Sequence, residues 1–378
     1  MKHTVIILTL LVSMMASAQL PLLLDHGRAE LIGVPPNPTL VQYLNDVTYF
    51  YGDSITAGYD PHYPSGPALT NRFSTLLCQQ YSMIESNLGV GGSQIADWGE
   101  SDTITSNNVI FGTNVSVWFA GYNDMRFFGT NAAALTDNAT ALECLAAWLA
   151  LPTAQRVPWN SPNIYYNPGG WVFDPVTFGG MAHTTATGGG SASFYFMGST
   201  LLIGTARGGG CGNALVVVGD VVGNNFIPTL TNTYSCLRTS TGTGAGRSYS
   251  PGLILFTNLS ETTNHGAIIY AQSTASIFFS WYAAYSTNQL PKVVLAGTLK
   301  MPEFEYGQLS PYNNGSDLAA DQYSEMISNV AVALSGAKLN VKYVPAPLLD
   351  TNTDFEFDWL HPNPSGHLKI KNALQSAF

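Results

Sequence analysis

Two short strings at opposite ends of this chain carry residue types that could perform acyl transfer. The first is Gly52-Asp53-Ser54, within Tyr-Phe-Tyr-Gly-Asp-Ser-Ile-Thr-Ala-Gly at residues 49–58. A serine on a glycine-bounded turn between a strand and a helix exposes its hydroxyl, which suits a nucleophile. The same position also suits a plain helix N-cap. A serine nucleophile needs a base, a group that orients the base, and donors for the developing oxyanion. The second string, Asp358-Trp359-Leu360-His361, supplies the first two. An aspartate three residues before a histidine on a loop can fold back onto Nδ1, which leaves Nε2 to face the serine. Two segments between these ends can supply the donors. Asn87-Leu88-Gly89-Val90-Gly91-Gly92-Ser93 is a glycine-rich loop with bare backbone N–H groups. Gly121-Tyr122-Asn123-Asp124 closes an apolar run and offers a side-chain amide. Taken singly each has a bland reading: Gly92 as a turn glycine, Asn123 as a cap, His361 as a surface histidine.

The elements that must position these residues alternate between strand and helix. Val47–Tyr51 reads as a strand, 71–81 as a helix, 82–87 as a second strand and 115–120 as a third. A short helix is expected near Ser93. Leu135, Leu142, Leu145 and Leu149 give helical spacing over 132–151, which Pro152 and Pro158 end. From about 152 to 285 the pattern changes. Short β-rich runs at 170–173, 193–197, 200–204, 214–219, 253–257, 267–271 and 276–285 alternate with Gly, Thr, Ser and Asn turns. This stretch has no lysine, and its spacing suggests a β-sandwich or jelly roll. Beyond it the first pattern resumes, with strands at 292–297 and 341–344 and helices at 318–334 and 364–378.

The four motifs, in this order, resemble the SGNH (GDSL-type) hydrolase family. On that resemblance Ser54 is the nucleophile, Gly92 and Asn123 are oxyanion donors, and Asp358 and His361 form the acid–base pair. Gly91 and Gly89 stand close to Gly92, which is preferred because it lies five residues after Asn87. The resemblance implies an α/β, flavodoxin-like three-layer α/β/α fold with parallel strand order 2-1-3-4-5. Here an all-β insertion interrupts it. The expected organisation is a hydrolase domain at 19–151 plus 286–378, with an inserted β-sandwich at 152–285 that is a candidate carbohydrate-binding domain. The ends of such an insertion should lie together, so that its excision leaves a folded hydrolase. The implied activity is hydrolysis of carboxylic esters, acetyl esters foremost, on a polysaccharide or cell-wall glycan, with no metal or organic cofactor. A lipase, a short-chain arylesterase or an O-acyltransferase would use the same residues. A glycan-binding or adhesion protein on a hydrolase scaffold is the alternative without catalysis. Asp53 and Asp124 are expected to be structural, and His62, His183, His265 and His367 to stand outside the chemistry. Trp98 and Tyr122 are expected in the core, with a place in the pocket wall as the alternative. Trp159, Trp171, Tyr165 and Tyr166 are candidates to stack on sugar rings.

Bulk properties narrow the classes further. Only 10% of the 378 residues are charged and the net charge is −10, which argues against a nucleic-acid surface. Lys2 and His3, the apolar run 4–15 and Ala16-Ser17-Ala18 read as an export signal over residues 1–18. Its apolar run is too short to span a bilayer, so a secreted or periplasmic protein without stable membrane insertion is expected. Cys211 and Cys236 are expected to pair, which would contribute about 3 kcal/mol through loop closure. Cys78 and Cys144 would ride helices on opposite faces of the sheet and are expected to remain free thiols.

Overall fold

Apolar β-branched and aromatic runs form the strands of the parallel sheet, and each is followed by a turn that carries one of the motifs. The computed structural model describes residues 43–64, 68–100, 115–119, 121–167, 170–174, 181–184, 190–238, 249–272, 274–308 and 310–378. The expected export segment at 1–18 lies outside the described residues. Strand β1 (Val47–Gly52) leads into the single-turn helix α1 (Ser54–Ala57), followed by α2 (Phe73–Tyr81) and β2 (Ile84–Asn87). Ser82 adopts a left-handed conformation at the end of α2, so β2 begins later than the sequence suggests. Strand β3 (Val115–Phe119), the short helix α3 (Tyr122–Phe128) and α4 (Ala132–Leu149) follow. Asn131 caps α4 by accepting from the Ala134 amide.

The β-rich stretch contributes β4 (Val157–Pro158), β5 (Ile164–Tyr166), β6 (Trp171–Asp174), β7 (Met181–Thr184), β8 (Ser191–Met197) and β9 (Thr200–Gly208). It continues with β10 (Asn213–Val222), β11 (Asn225–Ser235), β12 (Tyr249–Phe256), β13 (Asn264–Ala271), β14 (Phe278–Phe279) and β15 (Trp281–Tyr285). The chain then returns through β16 (Lys292–Ala296), α5 (Asp317–Gly336), β17 (Val341–Val344) and α6 (Pro364–Leu374). Ser316 caps α5 and Asn363 caps α6, with Pro364 at the first turn, where its missing N–H costs nothing.

Sheet order is β2-β1-β3-β16-β17, all parallel. Helix α2 packs with α6, and α4 with α5. Right-handed crossovers running opposite ways from β1 place the two pairs on opposite faces. Strand β3 is buried at every position, as a strand covered on both sides must be.

The β-rich block pairs into antiparallel sheets ordered β11-β10-β13-β8-β5 and β12-β9-β15-β4, plus the small sheet β14-β7-β6. The two larger sheets share a core of their own that includes Phe194, Val216, Val218, Ile203, Ile254, Ile269 and Tyr282. Phe194 stacks on Tyr282 at 3.9 Å between ring centroids. The block's first and last strands are neighbours: Val157 and Pro158 of β4 pair with Tyr282 and Trp281 of β15. Strand β11, rich in Asn and Thr and holding Pro228, is absent from the sequence expectation. It is an exposed edge, where a proline can sit at a register shift opposite Val218 and Gly219.

Strand β9 is buried at all nine positions, because the second face of its sheet lies against α4. Trp148 meets Trp281 edge-on at 5.3 Å, and Arg207 Nη1 lies 2.9 Å from Asp137 Oδ1. Tyr285 donates to the Ala337 carbonyl at 2.8 Å. Gln42–Phe378 thus fold as one compact unit. Excision of the block would bare this apolar face of α4, so the expectation that the remainder folds without it does not follow from the packing.

All four cysteines are free and buried. The expected Cys211–Cys236 bond is therefore absent. The two segments adjoin, with Cys236 N donating to Gly212 O at 2.9 Å, but the thiols pack in the sandwich core as small apolar groups.

Candidate active site

The serine turn is built by its neighbours. Asp53 is 2% exposed and its Oδ1 accepts from Ile55 N at 2.9 Å, which starts α1 directly under Ser54. Burial pushes the Asp53 carboxyl up to about 6, against the Ile55 bond and the charges of His361 and Arg126. Val90 N and Ser93 Oγ both donate to Gly52 O, at 2.9 and 3.1 Å, so the glycine-rich loop is tied to the end of β1. Asn87 holds the loop from the other side. Its Nδ2 donates to Thr56 O at 2.6 Å and Ser74 Oγ at 2.8 Å, while its Oδ1 accepts from Gly89 N. Gly89 is required there because a Cβ would stand 2.3 Å from Ala57 N. Gly92 has φ +76°, a left-handed conformation that glycine adopts at no steric cost.

The histidine arrives on the loop before α6, which is closed on itself. Glu356 N donates to His361 O at 2.8 Å and Trp359 N to Glu356 O at 3.0 Å. Trp359 takes a φ of +55°, a strained conformation for a bulky residue. That turn lets Asp358 Oδ1 accept from both Leu360 N and His361 N at 3.0 Å. Asp358 Oδ2 then lies 2.6 Å from His361 Nδ1, and His361 Nε2 lies 2.9 Å from Ser54 Oγ. Burial raises the Asp358 carboxyl, but the bonds from His361 and the backbone outweigh it and hold it below the usual carboxylate range. Tyr59 packs against the imidazole at 4.6 Å, and Tyr122 donates to Leu360 O at 3.0 Å, anchoring the loop to α3.

Asn123, in the first turn of α3, points its amide at the same place. Nδ2 donates to Ser93 O at 3.1 Å and has a second N–H left over, while Oδ1 accepts from Arg126 Nη1 at 3.3 Å. Asp124 accepts from Ile95 N at 3.1 Å, and burial pushes its carboxyl up to about 8. Asp53 and Asp124 thus serve the backbone, as expected. Ser54, Gly92, Asn123, Asp358 and His361 line one cavity of about 460 Å³ together with Tyr59, Arg126, Glu305, Gln308 and Tyr312. Among the described residues no cluster of His, Cys, Asp and Glu could hold a metal. No described helix is long and apolar enough to cross a membrane.

The remaining expectations divide. Trp98 packs in the core against Tyr51 and Trp118, and Tyr122 is buried. His367 is buried, not facing solvent. It stacks on Phe73, accepts from Phe73 N at 3.3 Å, and is pushed down to about 3 by burial and by the charges of His361 and Arg72. Trp159 stacks on Phe173 and Trp171 abuts Tyr166, so those rings are engaged with each other, whereas Tyr165 is exposed. Sequence reasoning missed Arg126, although an arginine three residues after Asn123 on a helix is a legible signal for contact. It also missed Glu305, Gln308 and Tyr312, which come from the irregular connection between β16 and α5 and give no periodic signal.

No protein-family profile matches the chain, and no curated protein sequence does. Solved structures show distant likeness. Est24, a carbohydrate acetylesterase from Sinorhizobium meliloti, is 10% identical over 88% of this chain and 97% of its own, with a TM-score of 0.40. The porcine torovirus hemagglutinin-esterase is 10% identical over 88% and 87%, with a TM-score of 0.36. A two-domain esterase active on acetylated mannans is 10% identical over 66% and 93%, with a TM-score of 0.31.

Proposed function

We propose that this chain is a serine esterase of the SGNH (GDSL) type that removes acetyl groups from a glycan. The observation that carries the reading is the continuous relay Asp358 Oδ2–His361 Nδ1–His361 Nε2–Ser54 Oγ, at 2.6 and 2.9 Å, opening into the cavity. In the first half-reaction His361 Nε2 takes the Ser54 proton as Oγ attacks the ester carbonyl. Asp358 holds the proton on Nδ1 and stabilises the imidazolium. The oxyanion is met by the free Nδ2 hydrogen of Asn123 and by backbone N–H groups of Ser54 and Gly92, each donor worth about 3 kcal/mol. His361 then returns its proton to the leaving alcohol and activates water to release the acyl group.

Polar residues of the cavity outside the relay, among them Glu305, Gln308 and Tyr312, support a hydroxyl-bearing ester such as an acetylated sugar. The cavity of about 460 Å³ is walled on one side by the buried Asn123 and Arg126. Export through residues 1–18 and a glycan-positioning role for the 152–285 block belong to the same proposal. The test is a series of p-nitrophenyl esters of rising acyl length, run beside acetate release from acetylated xylan and glucomannan. Acetate should be preferred, and a serine-directed phosphonate should label Ser54. Labelling at another serine, or full turnover by Ser54→Ala, overturns the assignment.

A further inference from the structure

We infer that Arg126 is a positioning residue for the oxyanion donor Asn123, an inference that rests on the esterase reading above. Arg126 is 3% exposed, yet among the described residues no carboxylate lies within ion-pair distance of its guanidinium. Its Nε is buried with no hydrogen-bond partner. Cζ lies 5.3 Å from the Tyr312 ring and 5.7 Å from the Tyr122 ring, so aromatic faces flank it, while the carboxyls that feel its charge, Asp53 and Glu305, form no ion pair with it. Holding a cation there is expensive unless it has a task, because desolvation of a charge costs several kcal/mol.

The task follows from the hydrogen-bond inventory. A guanidinium only donates, so the Asn123 atom 3.3 Å from Nη1 must be the carbonyl oxygen Oδ1. Ser93 O only accepts, so the atom 3.1 Å from it must be Nδ2. Two partners of opposite kind clamp the amide in one of its two flips, with the second Nδ2 hydrogen directed to the cavity. Without Arg126 the flip is free to reverse and present Oδ1 to the developing oxyanion, which repels it. The cation also polarises the amide by drawing on Oδ1, which makes the N–H a stronger donor. Tyr312 covers the guanidinium and reaches Gly92 O at 3.5 Å, so the same aromatic wall touches both donor segments.

The test is a double-mutant cycle on p-nitrophenyl acetate, using Arg126→Met, which keeps an unbranched apolar stem and removes the guanidinium, and Asn123→Ala. Removal of an oxyanion donor costs about 10²–10³ in kcat, so Asn123→Ala sets the ceiling. Arg126→Met should lower kcat by about tenfold or more and leave KM within about twofold, as loss of a contact made only in the transition state does. In the Asn123→Ala background it should change kcat by no more than about twofold, because its effect has no route left. Arg126→Lys, which keeps the charge and a donor, should recover part of the loss. Full multiplicative losses in the double variant, or a rise in KM with kcat unchanged, overturn the inference and assign Arg126 directly to substrate. Should Arg126→Met unfold, the cycle run with Arg126→Lys decides by the same criterion. Full turnover by Ser54→Ala in the parent protein would instead condemn the serine reading, so the two failures are distinguishable.

Discussion

Replacement of Asp358 by Asn tests the relay most severely, because it keeps shape and reverses one proton. In the parent, Asp358 Oδ1 accepts from Leu360 N and His361 N, and Oδ2 accepts from His361 Nδ1–H at 2.6 Å. An asparagine would keep its carbonyl oxygen on the two backbone N–H groups, since those donate only. Its NH2 would then face Nδ1 and donate to it. That bond selects the tautomer with the proton on Nε2, where it cannot accept from Ser54 Oγ 2.9 Å away. The base is lost, and the charge that stabilises the imidazolium goes with it. A fall in kcat of about 10⁴ is expected, or about 5.5 kcal/mol at 1.36 kcal/mol per decade. Stability should change by only about 1 kcal/mol, because both backbone bonds survive. The assay is steady-state hydrolysis of p-nitrophenyl acetate with thermal unfolding of the same preparation. A folded Asp358→Asn protein within tenfold of parent turnover would refute the claim that this carboxylate sets the imidazole tautomer.

Other expectations follow from close contacts and buried charges. Gly89→Ala would place a Cβ 2.3 Å from Ala57 N, a backbone atom that cannot yield, so a loss of about 2 kcal/mol or more and displacement of the Gly92 segment should appear in unfolding and activity together. The native Asp124 carboxyl, pushed up to about 8, keeps a proton that the unfolded chain releases near its ordinary value, so stability should decline as pH rises from 6 to 8. Asp124→Asn, whose Oδ1 can still accept from Ile95 N, should flatten that part of the unfolding profile, and an unchanged slope would count against it. Arg207→Met removes the cation facing the buried Asp137 and should cost about 3–5 kcal/mol. Adding Asp137→Asn should restore much of that in denaturant titrations, while turnover of folded protein stays unchanged.

Much of the site was legible along the chain because its requirements are local. A nucleophile turn needs Gly52, Asp53 and Ser54 in succession, and the Asp358–His361 pair closes a turn of its own, so residue type and spacing carry the chemistry. Strands β1, β3 and β16 were legible because a strand covered on both faces is largely apolar and β-branched or aromatic along its length. Other features depend on atoms distant in sequence. The Ser54–His361 distance is decided by the order of the parallel sheet, which brings the ends of β1 and the loop before α6 to one edge. The burial of His367 depends on Phe73, and the clamp on the Asn123 amide needs the Ser93 carbonyl from another strand end. Strand β11 is a strand only because β10 offers it an edge, since its own residues are polar and interrupted by Pro228. The β-rich block looked separable because its period changes sharply at 152. Only the tertiary structure placed the sheet of β12 and β9 against α4, since a strand buried on two faces reads the same whether its second cover is its own domain or another.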